Sequence, residues 1–465
     1  MTRRLRWLLC IVAGCLLAYT GAAWWAGQQA ESVLRVWVAE ANQRWQLEAS
    51  APGQAPVLSI LDYRRGVFSS DLGLRFEYPE ARGTRVFDLQ NHLQHGPWPW
   101  QALQEGHWAP LAAYSVLEPV AGPGWQMWFD AMPRGVLPWI LQARIGFNGA
   151  LRASWRFEPA RLPDAGFSFA GAQVQVERDA GEPEFRVRAD VPHLTFDDAD
   201  ERVSLEIRDL VYQSRMILTD GTHLQVHQIM QTGNLLLVTD AWPGLLFEQS
   251  ELTMDTARTG QLVDTRLDWD LGRMQLQGSD LGRLRARGSV AQFNVQAWDA
   301  LMSAMETWPE GDPQDWSPQQ RQALLGLLRP VFATGPVLAL DTLQWQTPEG
   351  VSEAALHIGL QPLDEGPEPA LESGVRRASL QLGVSRPMVL YVVGQSQKAQ
   401  QQMAVTLASM LFDRLAAHLQ RQGLVRLADG LVEVDYHFEH GQSVLNGQSL
   451  GAGELQQRIE RSAAW

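Results

Sequence analysis

The spacing most suggestive of nucleophilic chemistry is Gly447-Gln448-Ser449-Leu450-Gly451, a formal G-x-S-x-G. A nucleophile elbow needs a buried strand before the serine and a helix after it, with acid and histidine partners that usually follow in chain order. Fourteen residues follow Gly451 and none is Asp or His, so the match reads as a chance one. Asp268-Trp269-Asp270 sets two carboxylates on one strand face, about 6.6 Å apart by strand geometry. That suits glycosidase chemistry in distance alone. His223 and His227 share a strand face but stand about 13 Å apart along it, too far to hold one metal. His437 and His440 fall on opposite faces. Asp197, Asp198, Asp200 and Glu201 lack the glycine and downstream glutamate of an EF-hand loop, which makes a solvated turn the expected reading. No catalytic residue, metal site or cofactor is expected from these patterns.

Two stretches carry low-specificity binding candidates. Residues 59–70, SILDYRRGVFSS, bring Arg64, Arg65, Gly66, Phe68 and Ser70 together. A phosphate cradle would need converging backbone N–H groups at a helix start, and no helix begins here. A hairpin turn is expected instead, with positive φ at Gly66, Phe68 pointing to the core and Arg64 or Arg65 in solvent. Residues 95–100, HGPWPW, contribute His95, Gly96 and Pro97. Two prolines among tryptophans predict an extended segment at a sheet edge, with His95 bonded to nearby backbone.

The elements that position these residues are mostly strands. LGLRFEYP, GALRASWRFEP, AQVQVERD, EFRVRAD, RVSLEIRDLVYQSRMIL, HLQVHQI, LVDTRLDWDL and RMQLQG alternate apolar with polar residues. Short turns separate many of them, which predicts antiparallel sheet rather than parallel α/β units. Helical periodicity returns at 297–308 and 318–332, then around 397–422, and LVEVDYHFEHGQSVLNGQSL closes the chain as a hairpin before a short terminal helix. The expected fold class is α+β, mainly antiparallel β: curved sheet braced by a few helices behind an N-terminal transmembrane helix. The 19 tryptophans would fill a core or line a groove, and core is the favoured reading.

Arg3, Arg4 and Arg6 precede WLLCIVAGCLLAYTGAAWWA, residues 7–26, which carry no charge. Twenty helical residues rise about 30 Å, a bilayer's hydrocarbon thickness. The arginines favour a cytoplasmic start and an exported body, with Trp24 and Trp25 at the outer interface. A retained signal anchor is preferred over a cleaved signal peptide because the apolar run is longer than a signal core; Gly21-Ala22-Ala23 would suit cleavage. Gly14, Ala18, Ala22 and Ala26 form a small-residue ridge of the kind that lets membrane helices approach, and a homodimer is one association it would serve. Apolar residues at Ala30, Val33, Leu34, Trp37, Val38, Ala41 and Trp45 predict that the helix continues outward as an amphipathic stalk.

The formal net charge is −14. Such a body repels nucleic acid and anionic headgroups at long range, so no nucleic-acid partner is expected. Cys10 and Cys15 are the only cysteines and both lie in the apolar run, which leaves the body without disulfides. The organisation reads as cytoplasmic residues 1–6, anchor 7–26, stalk 27–50, β-rich region 51–296, helical pair 297–332 and C-terminal α+β region 333–465.

With these elements in place the chain resembles the YdgA-like family of uncharacterised, inner-membrane-anchored bacterial proteins. The carrying residues are Asp62 to Ser70 (aromatic-x-x-Gly-hydrophobic-Phe-x-Ser), His95-Gly96-Pro97-Trp98-Pro99, the stretch from Gly335 to Thr347-Pro348-Glu349-Gly350, and Leu445-Asn446-Gly447. Trp98 departs from the pattern, where a smaller aromatic is common. The resemblance implies a single-pass periplasmic protein with no assigned activity and supplies no catalytic residues. The reading is therefore a bacterial inner-membrane protein with a periplasmic body that binds or scaffolds in the cell envelope, with a lipid acyl chain on an apolar sheet face or an envelope protein as partner. The competing reading is an envelope hydrolase built on carboxylates or His95.

Overall fold

The computed structural model describes residues 3–48, 55–80, 83–198, 202–219, 223–240, 242–305, 317–364, 371–396, 401–451 and 453–463; of residues 3–18 it describes the backbone path alone. Asp200, Glu201, most of the Pro/Gly break at 51–56, the loop between the helical pair and the start of the expected 397–422 helix lie outside the described residues. The chain forms two compact units: residues 1–195 with 211–217, and residues 196–210 with 218–465.

The first unit opens with a single helix, α1 (Arg3–Glu48), so the apolar run and the stalk are one continuous element. It continues through β1 (Val57–Arg65), β2 (Ser69–Glu80), β3 (Gly83–His95), the short α2 (Trp100–Gln104), β4 (Ala113–Pro119), α3 (Gln126–Asp130), β5 (Trp139–Ile145) and β6 (Leu151–Phe157). The small hairpin β7 (Ala160–Leu162) and β8 (Phe167–Phe169) precedes β9 (Ala172–Arg178) and β10 (Glu184–Asp198). Each strand from β1 to β6 pairs antiparallel with the next, β6 pairs with β9, and β9 with β10. Short connections allow this meander, as the alternation predicted.

Val38 of α1 is buried with Leu58, Leu72 and Leu74, and Leu34 and Trp45 pack beside them. Asn42 fastens the helix to the edge of β1 through both sides of its amide: Nδ2 donates to Leu58 O and Oδ1 accepts from Leu58 N, each at 2.8 Å. Trp37, on the expected apolar stripe, is 54% exposed, because the sheet covers a narrower arc than the stripe occupies. Beyond this patch an aromatic chain forms the interior. Trp45 meets Phe76 edge-on, and Phe87, Trp125, Trp139, Trp155 and Phe157 follow at centroid spacings of 4.7 to 6.2 Å. Offset and edge-to-face contacts add to burial in such chains, so these tryptophans fill a core.

β11 (Val203–Leu218) contributes residues to both units. The second unit then runs β12 (His223–Val238), β13 (Pro243–Thr259), β14 (Leu262–Leu276), β15 (Ser279–Asn294), α4 (Val295–Met305), α5 (Pro318–Ala333), β16 (Val337–Thr347), β17 (Gly350–Leu360) and β18 (Val375–Ser385). After α6 (Arg386–Ser396) and α7 (Gln401–Arg421) come β19 (Arg426–Ala428), β20 (Leu431–Glu439), β21 (Gln442–Leu445), β22 (Gln448–Leu450) and α8 (Glu454–Ala463). Consecutive antiparallel pairing carries β12 through to β18, which pairs with β20. The core gathers Leu245, Phe247, Leu271, Met274 and Leu281, with Val392 of α6 packed on it.

Mainly antiparallel sheet with several helices is therefore the fold class. The helices α4, α5 and α7 fall where periodicity placed them, whereas α6 was not anticipated. Its sequence, RPMVLYVVGQS, is rich in β-branched and aromatic residues that favour strands. Tertiary contact overrides that preference: the helix lies on β15 to β18, and Ser385 Oγ accepts from Met388 N (3.4 Å) at its start. Among the described residues no helix is long and apolar enough to cross a membrane; the side chains of residues 3–18, which hold most of the apolar run, lie outside that description.

Candidate functional site

The β1–β2 hairpin turns through Gly66, Val67 and Phe68, closed by Gly66 N donating to Ser69 O at 2.7 Å. Gly66 does not take positive φ, contrary to expectation. Its lack of a side chain matters for close approach, since a Cβ there would sit 2.9 Å from Ser69 O. Phe68 is not in the core either. It is 46% exposed and stacks on Tyr19 of α1, centroids 5.6 Å apart. Arg64 does lie in solvent, paired with Asp62 at 3.0 Å. Arg65 instead reaches α1, with Glu31 at 3.5 Å and the Trp24 ring face at 5.9 Å.

Ser70 and His95 come from neighbouring strands and are each 1% exposed. Ser70 Oγ lies 2.9 Å from His95 Nε2, and His95 Nδ1 lies 3.2 Å from Val67 O. A carbonyl only accepts, so the neutral ring carries its proton on Nδ1 and Nε2 accepts from the Ser70 hydroxyl. Burial lowers the His95 pKa below its ordinary value; the Val67 carbonyl opposes this and the Arg65 charge adds to it. Helix α1 closes the site: Gly27 backs onto the imidazole so tightly that a Cβ there would lie 2.5 Å from Nδ1.

Gly96 and Pro97 carry the chain out of β3. Gly96 N donates to Ala112 O (2.9 Å), Leu111 N donates to Pro97 O (2.9 Å), and a Cβ at Gly96 would collide with the Leu111 carbonyl. The Gly96–Pro97 peptide is cis. Tyr19 OH donates to Trp98 O at 3.1 Å, and Trp98 Nε1 to Trp108 O at 3.2 Å. Arg65, Phe68, Ser70 and His95 thus converge on one face of α1, while Gly66, Gly96 and Pro97 shape the turns that present them.

A serine hydroxyl on a histidine nitrogen is the pairing of a nucleophile and its base. Here the third position is a backbone carbonyl rather than a carboxylate, and the pair lies beneath Gly27 with each side chain 1% exposed. The arrangement works as a joint. Of its helix-side members, Tyr19, Gly27 and Glu31 were not singled out in the sequence, and Trp24 was expected at a membrane interface rather than under Arg65; a glycine inside an otherwise helical stretch was the one available signal for the joint.

The other candidates do not assemble chemistry. Asp270 is held by Arg283 and by Arg285 (2.9 Å), and Asp268 by Arg287 (2.9 Å). Burial would raise the Asp270 pKa, but Arg283, the Gly272 N–H and Arg285 outweigh it and hold the carboxyl below the ordinary range. His227 pairs with Asp255 at 2.7 Å and His437 with Asp435 at 2.8 Å. No group of three metal-ligating side chains occurs among the described residues. Ser449 sits in β22 after a two-residue turn in which Asn446 and Gly447 both take positive φ, 53° and 82°. It follows a hairpin turn, not a nucleophile elbow. An open depression of about 680 Å³ on β16 to β20 is lined by Asp341, Glu353, Glu433 and Asp435. Each carboxylate there is engaged, with His357, Gln344, Arg426 and His437 respectively.

A family model described as "Bacterial protein of unknown function (DUF945)" matches residues 1–451. The chain belongs to the DUF945 family. The chain is also 24% identical over 473 residues to "Protein YdgA" of Escherichia coli (strain K12), covering 95% of this chain and 93% of that protein. No solved structure matches. In this DUF945 protein the stretches that carried the YdgA-like resemblance sit at joints between elements. The first two hold α1. Thr347 and Gly350 form the β16–β17 turn, where a Cβ at Gly350 would press on the Ser385 side chain at the start of α6. Asn446 ties β20 to the segment after α7, its Oδ1 accepting from Asp435 N (3.0 Å) and its Nδ2 donating to Leu424 O (3.1 Å).

Proposed function

We propose that this DUF945 protein is anchored in the bacterial inner membrane through residues 7–26, with its N-terminus cytoplasmic and its body periplasmic, and that the body binds or scaffolds in the envelope without catalysis. One observation carries the reading: residues of its most distinctive motifs pack on α1, Arg65 on Glu31, Phe68 on Tyr19, and the His95 ring, held in place by Ser70, against Gly27. A chain that needs its first helix only as an address has no use for such a joint. A chain that must hold its body at a set position relative to a bilayer does. The uncharged run behind Arg3, Arg4 and Arg6 supports the anchoring direction.

The binding role extends to a lipid acyl chain or an envelope protein partner on an apolar sheet face. The depression on β16 to β20 sets Val351, Leu382, Leu431 and Val434 among four carboxylates, so a more uniformly apolar face suits such a ligand better.

The test is fractionation of cells expressing the full chain, followed by native mass spectrometry of the detergent-extracted protein and lipid extraction of the same sample. Membrane residence resistant to carbonate, with the body cleaved by protease added to spheroplasts, is expected. Recovery in the soluble fraction overturns the anchor. Ester or glycoside turnover that Ser70→Ala abolishes, with stability otherwise retained, overturns the non-catalytic reading.

A further inference from the structure

The apolar run and the body overlap along α1. Among the described side chains the body meets the helix from Tyr19 onward, through Phe68 and Trp98, and Ala23 and Ala26 are buried, 0% and 7% exposed. Residues 7–18 alone rise only about 18 Å, short of the roughly 30 Å of hydrocarbon. The turns from Tyr19 to Ala26, about 12 Å more, are needed to complete a span. Those turns are the ones the body contacts along one face.

The residues at this grip are unusually aromatic for an acidic surface. Val67, Phe68, Trp98 and Trp108 from two body segments are between 44% and 74% exposed, and Trp24 and Trp25, which follow Tyr19 on α1, are exposed as well. They are linked rather than scattered: Tyr19 stacks on Phe68 and Trp98, and Trp98 bonds to the Trp108 carbonyl. Trp and Tyr partition to the headgroup boundary, where the ring is buried and its polar edge stays wet. Arg65 lies over Trp24, one to two turns beyond Tyr19, where a long cationic side chain reaches toward headgroups.

We propose that Val67, Phe68, Trp98 and Trp108 form an aromatic collar that enters the outer-leaflet interface around the last turns of the anchor, so the body rests in the bilayer surface rather than standing above it. The occupant of this surface is lipid, argued from its continuity with the apolar run of the same helix. The inference rests on the anchoring reading.

The full chain with Cys10→Ala, Cys15→Ala and Trp108→Cys, labelled at position 108 with an environment-sensitive fluorophore, is reconstituted into phosphatidylcholine–phosphatidylglycerol vesicles. Flotation with the vesicles reports the anchor; the label reports the collar. A blue-shifted emission, quenched by lipid brominated near the headgroup and shielded from aqueous iodide, is expected. Val67→Cys in the same background gives a second position if the first variant fails to fold. A floating chain whose labels stay open to iodide overturns the collar and leaves the anchor standing. A chain that does not float removes both. Labels shielded from iodide and from brominated lipid, with doubled mass in detergent, assign the surface to a second copy and overturn the proposal.

Discussion

Ser70 Oγ stands 2.9 Å from His95 Nε2, with both side chains 1% exposed and the backbone of Gly27 pressed on the imidazole. The pair therefore has the distance of a catalytic dyad and the burial of a core. Removing one member leaves a buried polar group unpaired, at about 1–3 kcal/mol. His95→Ala should cost more than Ser70→Ala, since it also opens a cavity and frees the Val67 carbonyl. Urea denaturation of the two variants checks the order, and proteolysis within residues 27–48 should accelerate with it.

Gly27 and Gly21 lie on the same helix with opposite surroundings. A Cβ at Gly27 meets the His95 ring, whereas one at Gly21 meets nothing within 4 Å. Gly27→Val should lift α1 and destabilise by roughly 1–3 kcal/mol, as overpacking does. Gly21→Ala should be neutral or slightly stabilising by helix propensity. Thermal melts of the two variants side by side make the comparison.

The joint should loosen in acid. The His95 pKa is pushed below its ordinary 6.5, by burial first. The unfolded chain then takes up the proton before the folded one does, so this contribution to stability is complete above about pH 6.5 and is lost as pH falls toward the folded value. Urea midpoints compared at about pH 7.5 and pH 5.5 should show the fall in the wild type. In His95→Asn that part of the pH dependence should be absent.

Asp270 gathers Arg283 and Arg285 on the β14–β15 face. Asp270→Ala leaves two arginines facing each other. Because both are about half exposed, solvent screens the repulsion and the expected loss is on the order of 1 kcal/mol. Raising the ionic strength should shrink the difference between variant and wild type. A loss that salt leaves unchanged would place the role of Asp270 in packing.

Asn446 opens a two-residue hairpin turn with φ 53° and spends its amide on Asp435 N and Leu424 O. Asn446→Gly keeps the backbone freedom and loses the bonds; Asn446→Ala loses both. Alanine should therefore be the worse of the two, each costing roughly 1–2 kcal/mol. Chemical denaturation ranks them.

Antiparallel sheet was legible because alternation has a period of two and short turns exclude crossovers. The hairpins ending at Gly66 and Gly447 were legible from their turn residues. The α6 helix was not, since nothing local in Met388-Val389-Leu390-Tyr391-Val392-Val393 favours a helix over a strand; packing on β15 to β18 selects it. The roles within the RRGVFSS stretch were also hidden. Phe68 was expected inward, yet its partner Tyr19 lies 49 positions earlier on a helix that alternation along the strand does not describe.

By itself the sequence determined most of the elements, the charge balance, the uncharged N-terminal run and the family, because each follows from residue type and local order. Only the tertiary structure decided what the motifs are for. Ser70, His95 and Gly27 meet across three separate elements, and whether a serine beside a histidine is a nucleophile or a buried fastening depends on what covers it. Here α1 covers it. That depends on long-range packing, which residue spacing along a chain does not record.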